Sequence, residues 1–319
     1  MKILIVGDVH LDNENILECS SLFDLIYETT QKYKPDFVLH LGDDLDGFSY
    51  PSVKAQHFLT EYAQKIEQIC PIVFIVGNHS QSPNDEDKHS LLPLKFLKNT
   101  TVVDRPASFK GFDFMPFRRN KFQFEKEVNS LSNDILFCHQ PFAGAVYETG
   151  WEDRDGLDVN KVKHSLIISG HIHASSNLEK CWYPGSPRYM KKSDANEVKF
   201  IYLWDSVSKE TFNISTWPSV KRFKEIELNE QDVIPEFDEI NTKYYVTLKG
   251  SLDFCQKTSM IIGDKAEIKT MITKQKKSQF KKQSTVELSL KEYLNNNYKM
   301  TSDISKEILI KEISNRLFK

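Results

Sequence analysis

The sequence predicts an α/β protein with a layered core, followed by a small α+β region and C-terminal helices. Short, uniformly apolar runs, typical of buried strands, occur before residue 206. Amphipathic stretches with helical spacing separate these runs, as expected when strands alternate with helices. After residue 205 the runs alternate apolar and polar residues, which is typical of strands with one solvent-exposed face.

Five apolar runs are predicted as core strands, at residues 3–6, 37–41, 72–76, 135–138 and 166–168. Helices are predicted between them, over residues 21–33, 52–69 and 120–131. Three half-buried strands follow at 222–228, 243–249 and 266–273, with a helix near 251–262. We therefore predict four segments: a core domain (1–205), a small α+β domain (206–273), a lysine-rich linker (274–283) and a helical module (284–319).

The composition is that of a globular protein. Hydrophobic residues make up 39% and charged residues 27% of the 319 residues, which excludes a disordered chain. The net charge of -3 argues against a protein that wraps nucleic acid through bulk charge alone. No apolar run approaches the ~18 residues of a membrane span, and the five scattered cysteines form no CxxC pair. We therefore expect a cytoplasmic protein without a membrane segment.

Each core strand runs into a polar cluster. The clusters are Gly7-Asp8-Val9-His10, Gly42-Asp43-Asp44-Leu45-Asp46, Gly77-Asn78-His79, His139-Gln140-Pro141 and Gly170-His171-Ile172-His173. Ligands of open α/β sheets lie beyond the carboxyl ends of the strands, so these side chains are expected to meet at one edge. The other four histidines, His40, His57, His89 and His164, are expected to be core or surface residues.

The clustered side chains favour a centre of two divalent ions, with Mn²⁺ preferred and Fe or Zn as alternatives. Imidazole and carboxylate groups together suit these metals. The candidate ligands are too many for one tetrahedral ion but fit two ions about 4 Å apart that share a carboxylate. They are Asp8, His10, Asp43, Asn78, His139, His171 and His173. We assign the shared carboxylate to Asp43.

In their order along the chain, the clusters resemble the motifs of the calcineurin-like metallophosphoesterases. These motifs are D-x-H, G-D, G-N-H, a lone His and G-H-x-H, and all five are present here. The resemblance implies a sandwich core of βαββαβ type and metal-dependent hydrolysis of phosphoesters. It also implies how the ligands divide: Asp8, His10 and His173 on one ion, Asn78, His139 and His171 on the other, and Asp43 between them.

His79 is implied by the same resemblance to be an unliganded catalytic residue. It would stabilise the transition state or protonate the leaving oxygen. The family usually has Asp or Glu after G-N-H, whereas this chain has Ser80. We expect Asp46 or Asp85 to supply an acid in its place, and the exchange Ser80→Asp to leave activity equal or raised.

A segment beyond the motifs resembles one group within this superfamily. Residues 182–188, Trp-Tyr-Pro-Gly-Ser-Pro-Arg, are similar to the G-S-P segment of the SbcD-type nuclease subunits, the meiotic-recombination-eleven family. In that family a capping domain and a helical region that binds an SMC-like ATPase follow the phosphoesterase domain. The resemblance implies a DNA exo- or endonuclease subunit of a repair and recombination complex, in a bacterial or phage-infected cytoplasm.

Contacts with DNA and partners are predicted at three places. Arg118, Arg119 and Arg188 are candidate contacts to DNA phosphates. In the helical module, apolar residues at three- and four-residue steps favour docking to the coiled coil of the ATPase. The anchors would be Leu290, Leu294, Ile308, Ile313 and Leu317. The resemblance further implies a homodimer, formed through segments near 52–69 and 88–97.

Two other functions and one other packing remain open from the sequence. The chain could be a stand-alone phosphatase or phosphodiesterase that acts on small molecules or phosphoprotein, because the superfamily contains all of these. It could also be a structural subunit that binds metal and has lost catalysis, although the intact ligand set opposes this. The module 284–319 could fold back on its own chain.

Overall fold

The computed structural model describes residues 1–47 and 52–272. Its helices are α1 (Ile16–Tyr33), α2 (Val53–Ile66), α3 (Lys121–Val128) and α4 (Leu252–Ile262). The predicted linker and helical module, with Leu290, Leu294, Ile308, Ile313 and Leu317, lie outside the described residues.

Most of the described strands are short. In chain order they are β1 (Lys2–Val6), β2 (Phe37–His40), β3 (Ile72–Ile75), β4 (Gln81–Ser82), β5 (Asp85–His89), β6 (Thr100–Val103), β7 (Ala107–Phe109), β8 (Phe112–Met115), β9 (Ile135–His139), β10 (Leu166–Gly170), β11 (Ser176–Leu178), β12 (Cys181–Tyr183), β13 (Phe200–Asp205), β14 (Thr211–Ser215), β15 (Arg222–Asn229), β16 (Thr242–Gly250) and β17 (Ala266–Ile272). The five predicted core strands are β1, β2, β3, β9 and β10.

Two six-stranded sheets form the core of the described structure. The first has the order β14-β13-β1-β2-β3-β6. Its strands β1, β2, β3 and β6 are parallel, and β13 and β14 add to one side as an antiparallel pair. The second sheet has the order β11-β12-β10-β9-β8-β7, with parallel inner strands and an antiparallel strand at each edge.

The layers follow from the alternation of side chains along the strands. Ile3 and Ile5 of β1 belong to the apolar core between the two sheets. There the ring centroids of Phe37 in β2 and Phe112 in β8 lie 6.3 Å apart. Leu4 and Val6 face the other way, into a core shared with helices α1 and α2. Helix α3 buries Phe124 and Val128 against the second sheet. The layered α/β fold predicted from the sequence is therefore confirmed.

The first sheet continues past residue 205, the predicted end of the core domain. Strand β14 pairs antiparallel with β13 through a short turn. Asp205 stabilises this turn by accepting hydrogen bonds from the backbone N–H groups of Val207 and Ser208. Helix α2 ends at Ile66, three residues before the predicted limit of 69.

The chain divides into two compact units. Of the described residues, the first unit comprises 1–47, 52–227, Val233–Thr247 and Ile262–Lys269, and the second comprises Leu228–Asp232, Leu248–Ile261 and 270–272. Strands β15, β16 and β17 form a three-stranded sheet, and α4 lies between β16 and β17 in the sequence, close to the predicted positions. None of the described helices has the length and apolar composition of a membrane span.

Candidate metal centre

The candidate ligands meet where the carboxyl ends of strands from both sheets converge. Asp8 and His10 follow β1, Asp43 follows β2 and Asn78 follows β3, all in the first sheet. His139 is the last residue of β9, and His171 and His173 follow β10, in the second sheet. All seven predicted ligands lie at this convergence. Six of them fall into two groups of side chains that could hold a metal ion, and Asn78 contacts the second.

The first group consists of Asp8, His10 and His173, whose ligand atoms all lie within 4.8 Å of one another. His10 Nε2 is 3.2 Å from His173 Nε2. Asp8 Oδ1 accepts a hydrogen bond from the backbone N–H of His171, whereas the buried Oδ2 has no partner among the described residues. An unpaired buried carboxylate oxygen beside two imidazole nitrogens fits a divalent cation, which would satisfy all three atoms.

The second group consists of Asp43, His139 and His171, again within 4.8 Å. Asn78 belongs with it, because its Oδ1 lies 2.8 Å from His171 Nδ1 and 3.0 Å from His139 Nε2. Two imidazoles, an amide oxygen and a carboxylate are a donor set that suits the metals considered above.

Asp43 lies between the two groups. Its Oδ2 is 3.1 Å from His139 Nε2 and 3.8 Å from His10 Nε2, so the same oxygen approaches a nitrogen of each group. Its Oδ1 accepts a hydrogen bond of 2.8 Å from the backbone N–H of His79. This is the position that a shared carboxylate requires, and metal binding by these residues stays a prediction.

Neighbouring groups orient the imidazoles. His139 Nδ1 donates to the carbonyl oxygen of Leu41 at 2.9 Å, which directs Nε2 towards Asn78 and Asp43. His171 Nε2 lies 3.2 Å from the hydroxyl of Tyr147, and Phe117 stacks on the His171 ring at 5.7 Å. No sequence motif marks Tyr147 or Phe117, because both contacts join segments distant in the chain.

The backbone at three candidate ligands adopts a conformation that L-residues rarely take. The φ angles are 50° at His10, 51° at Asp43 and 83° at His171. Such angles cost free energy and concentrate at functional sites. Glycine is needed beside Asp43, because a Cβ atom at Gly42 would lie 2.3 Å from His139 Nδ1.

Burial and neighbouring charges shift the pKa values of several ionisable side chains of the site. Burial raises the pKa of Asp8 to about 6, against the opposing effect of His139. Burial also opposes ionisation of His139, but the charge of Asp43 outweighs it and raises the pKa of His139 to about 9. Burial, with the neighbouring charges of His139 and His10 respectively, lowers the pKa of His171 and of His173 to about 3. These two imidazoles are therefore neutral at pH 7, the form that binds metal.

His79 pairs with Asp46, one of the two acids expected to replace the missing acid after G-N-H. Its Nδ1 lies 2.7 Å from Asp46 Oδ1. Asp85, the other expected acid, lies 3.3 Å from Lys88 instead. Hydrogen bonds to His10 and His79 hold the pKa of Asp46 well below its usual range. Asp46 is therefore ionised and fixes the orientation of the His79 ring.

The three arginines predicted to contact DNA differ in exposure. Arg118 is 4% exposed and its Nε donates to Glu127 at 2.9 Å. Arg188 is 8% exposed; its Nη2 donates to Glu18 Oε2 at 3.1 Å and its Nη1 donates to the Val9 carbonyl oxygen. Both guanidinium groups are thus taken up by internal contacts that stabilise the fold. Arg119 alone of the three is exposed.

Comparisons with known proteins identify the family of this chain. Residues 1–175 match the family model described as calcineurin-like phosphoesterase, and the chain belongs to that family. It is a phosphoester hydrolase. The family uses divalent metal ions, which the residues above would hold, and such ions supply Lewis acidity and activate water for attack on phosphorus.

Individual relatives are distant. The chain is 28% identical over 203 residues to a protein of Invertebrate iridescent virus 6 provisionally named phosphoesterase 244L, covering 58% of this chain and 69% of that protein. It is 25% identical over 236 residues to exonuclease subunit 1 of Enterobacteria phage T4, and the match covers 68% of this chain and 69% of that protein. The alignment with the crystal structure of the Pseudomonas putida nuclease MPE covers 66% of this chain and 87% of the nuclease chain, with 15% identity and a TM-score of 0.32.

Proposed function

We propose that this protein is a DNA nuclease that hydrolyses phosphodiesters with two divalent ions, as a subunit of a complex similar to SbcCD. The observation that carries the proposal is the position of Asp43 Oδ2 between two groups of candidate ligands. Two ions that share a carboxylate can stabilise both the attacking and the leaving oxygen at phosphorus. The similarity to a phage exonuclease subunit supports DNA as the substrate.

The side chains divide the work of the reaction. His10, His173, Asp8, His139, His171, Asn78 and Asp43 would hold the ions. His79, oriented by Asp46, would protonate the leaving oxygen from the edge of the site, where its side chain is 25% exposed. Because Asp43 Oδ1 accepts the backbone N–H of His79, the catalytic histidine is also tied to the predicted shared carboxylate.

The assembly and the metal are further parts of the proposal. Mn²⁺ is the ion we expect to support activity, since mixed imidazole and carboxylate donors suit it. The partner would be an SMC-like coiled-coil ATPase docked on residues 284–319, and the protein would be a homodimer in the cytoplasm. Leu91 and Leu94 of the segment near 88–97 are buried within the chain, whereas Phe96 is exposed and available to a second copy.

The proposal is tested by the cleavage of linear DNA and of bis-p-nitrophenyl phosphate in the presence of Mn²⁺. Asp43→Asn should abolish both activities while circular dichroism shows the fold retained. Asp253→Asn, an exposed aspartate of α4, is the matched control and should behave like wild type. Full activity of Asp43→Asn would contradict the metal assignment. Hydrolysis of the small diester without cleavage of DNA would favour a stand-alone phosphodiesterase.

A further inference from the structure

A cleft of about 800 Å³ opens beside the candidate metal centre. His171 forms part of its wall, and Phe117, which stacks on the His171 ring, lies next to it. The cleft is therefore continuous with the predicted ligands. It is much larger than one phosphodiester group requires, so it has room for several groups of a longer substrate.

Two exposed aromatic side chains line this cleft. Trp151 is 57% exposed and Phe122 is 66% exposed. Large aromatic groups are normally placed to bury their surface, and neither of these does so. Exposed rings in a cleft provide flat apolar faces on which a planar ligand can stack.

The loop that carries Trp151 is held in place by hydrogen bonds. The backbone N–H of Tyr147 donates to the Trp151 carbonyl at 2.8 Å, and Asp153 N–H donates to the Ala145 carbonyl at 2.8 Å. The carboxylate of Asp153 accepts from the backbone of Asp155 and Gly156. The indole thus projects from a hydrogen-bonded hairpin. Tyr147 lies between it and the site: the ring centroids of Tyr147 and Trp151 are 5.1 Å apart, and the Tyr147 hydroxyl is 3.2 Å from His171 Nε2. A loop held in this way loses little conformational entropy when its side chains bind a ligand.

Two cations accompany the aromatic rings. Arg119 and Lys121 line the same cleft, and neither forms an ion pair with a carboxylate among residues 1–47 and 52–272. Arg119 donates to the carbonyl oxygens of Ser82 and Pro83, and Lys121 to that of Asp155, so backbone oxygens hold both side chains in the cleft. Lys121 Nζ also lies 5.8 Å from the centre of the Phe122 ring.

We propose that this cleft binds the unpaired nucleotides of a DNA strand whose phosphodiester is presented to the metal centre. Bases stack on Trp151 and Phe122, and Arg119 and Lys121 contact the phosphates. Aromatic platforms interleaved with cations are the means by which proteins hold single strands without reading their sequence. In duplex DNA each base face is already covered by its neighbours, so the platforms favour unpaired ends. This inference rests on the proposed DNA nuclease function.

The test measures binding of a labelled single-stranded oligonucleotide and of a blunt duplex by fluorescence anisotropy in Mn²⁺, with phosphorothioate linkages in both DNAs to resist cleavage. Trp151→Ala and Phe122→Ala should each weaken single-strand binding about 5- to 100-fold, the loss expected for one stacked base. Duplex binding should change less than the single-strand binding. Trp151→Phe, which keeps an aromatic face, should restore most of the affinity. Phe212→Ala removes an equally exposed ring outside the cleft and is the matched control.

The cationic part is tested by the salt dependence of the same binding. Arg119→Ala and Lys121→Ala should each reduce the slope of log K against log salt by about 1, as expected for one lost phosphate contact. Unchanged slopes would overturn the assignment of these residues to phosphates.

The outcomes separate this inference from the function on which it rests. If the wild-type protein binds and cleaves DNA while the two aromatic variants bind single strands as it does, only the cleft assignment is wrong. Equal losses on single strand and duplex would also overturn it. If the wild-type protein binds neither form of DNA but hydrolyses bis-p-nitrophenyl phosphate with Mn²⁺, the proposed DNA function itself is wrong.

Discussion

Asp46 Oδ1 lies 2.7 Å from Nδ1 of His79, which brings a residue of the G-D segment against the histidine of G-N-H. The pair joins the loops after two neighbouring parallel strands, β2 and β3. The carboxylate of Asp46 thereby fixes the orientation of the His79 ring. The acid that sequence comparison expects next to His79 is thus replaced by one that is distant in sequence.

His79→Ala should slow phosphodiester hydrolysis by roughly 10²- to 10⁴-fold, the usual contribution of a general acid. The metal content should stay that of the wild-type protein, because His79 is predicted to hold no ion. Steady-state kinetics and elemental analysis of the same preparation check both parts. A variant that loses metal would place His79 among the ligands, for which its proximity to His10 and Asp46 leaves room.

Asp46→Asn should reduce the rate less than His79→Ala, because the asparagine retains a hydrogen bond but not the charge. The double variant should be no slower than His79→Ala, since residues that act as a unit are not additive. A double-mutant cycle on kcat measures this directly. Additive losses would show that Asp46 acts separately from His79.

Ser80→Asp should destabilise the protein, a separate effect from the activity, which the sequence predicts to be equal or raised. Ser80 is completely buried, and its Oγ has no hydrogen-bond partner among the described residues. A carboxylate there would be desolvated without compensation, at a cost of about 3 kcal/mol or more. Urea denaturation measures the change, and Ser80→Ala is the control, expected to be near neutral because it removes an unpaired hydroxyl. A Ser80→Asp protein as stable as wild type would refute this.

Asp113→Asn should lower stability at pH 7 by about 2 to 4 kcal/mol, and the difference from wild type should shrink in acid. Asp113 accepts hydrogen bonds from His164, Ser108 and Asn133. Burial alone would raise the pKa of its carboxyl, but these bonds outweigh burial and lower the pKa below its usual value.

The sign of this pH dependence follows from the lowered pKa. A group whose pKa is lower in the folded state stabilises it above the unfolded pKa, about 3.9 for Asp, and ceases to do so as the pH falls through the folded value. Urea unfolding of both proteins at pH 7, 5 and 3 should therefore show similar differences at pH 7 and 5 and a smaller one at pH 3. If the difference in the free energy of unfolding were the same at all three pH values, ionisation of Asp113 would not contribute to it.

The convergence of the ligands was predictable because it depends on local signals. Each apolar run ends in a polar cluster, and parallel strands of one sheet bring their carboxyl ends to one edge. Asp43 and Asn78 of the first sheet therefore had to be neighbours once the strands were assigned, and so did His139 and His171 of the second. The burial of Arg118 was not predictable, because it depends on Glu127 of α3 lying against it. Trp151 was missed for a related reason: periodicity carries no information about side chains in a loop.

The candidate ligands come from two separate sheets, and this couples metal uptake to folding. A divalent ion bound there would link the loop after β1 with the loop after β10. At a free ion concentration 100-fold above its Kd, each ion that binds only the folded protein adds about 2.7 kcal/mol to the free energy of unfolding. A cell depleted of such ions would hold this enzyme in a form that unfolds and is degraded more readily, so metal supply would set its abundance as well as its activity.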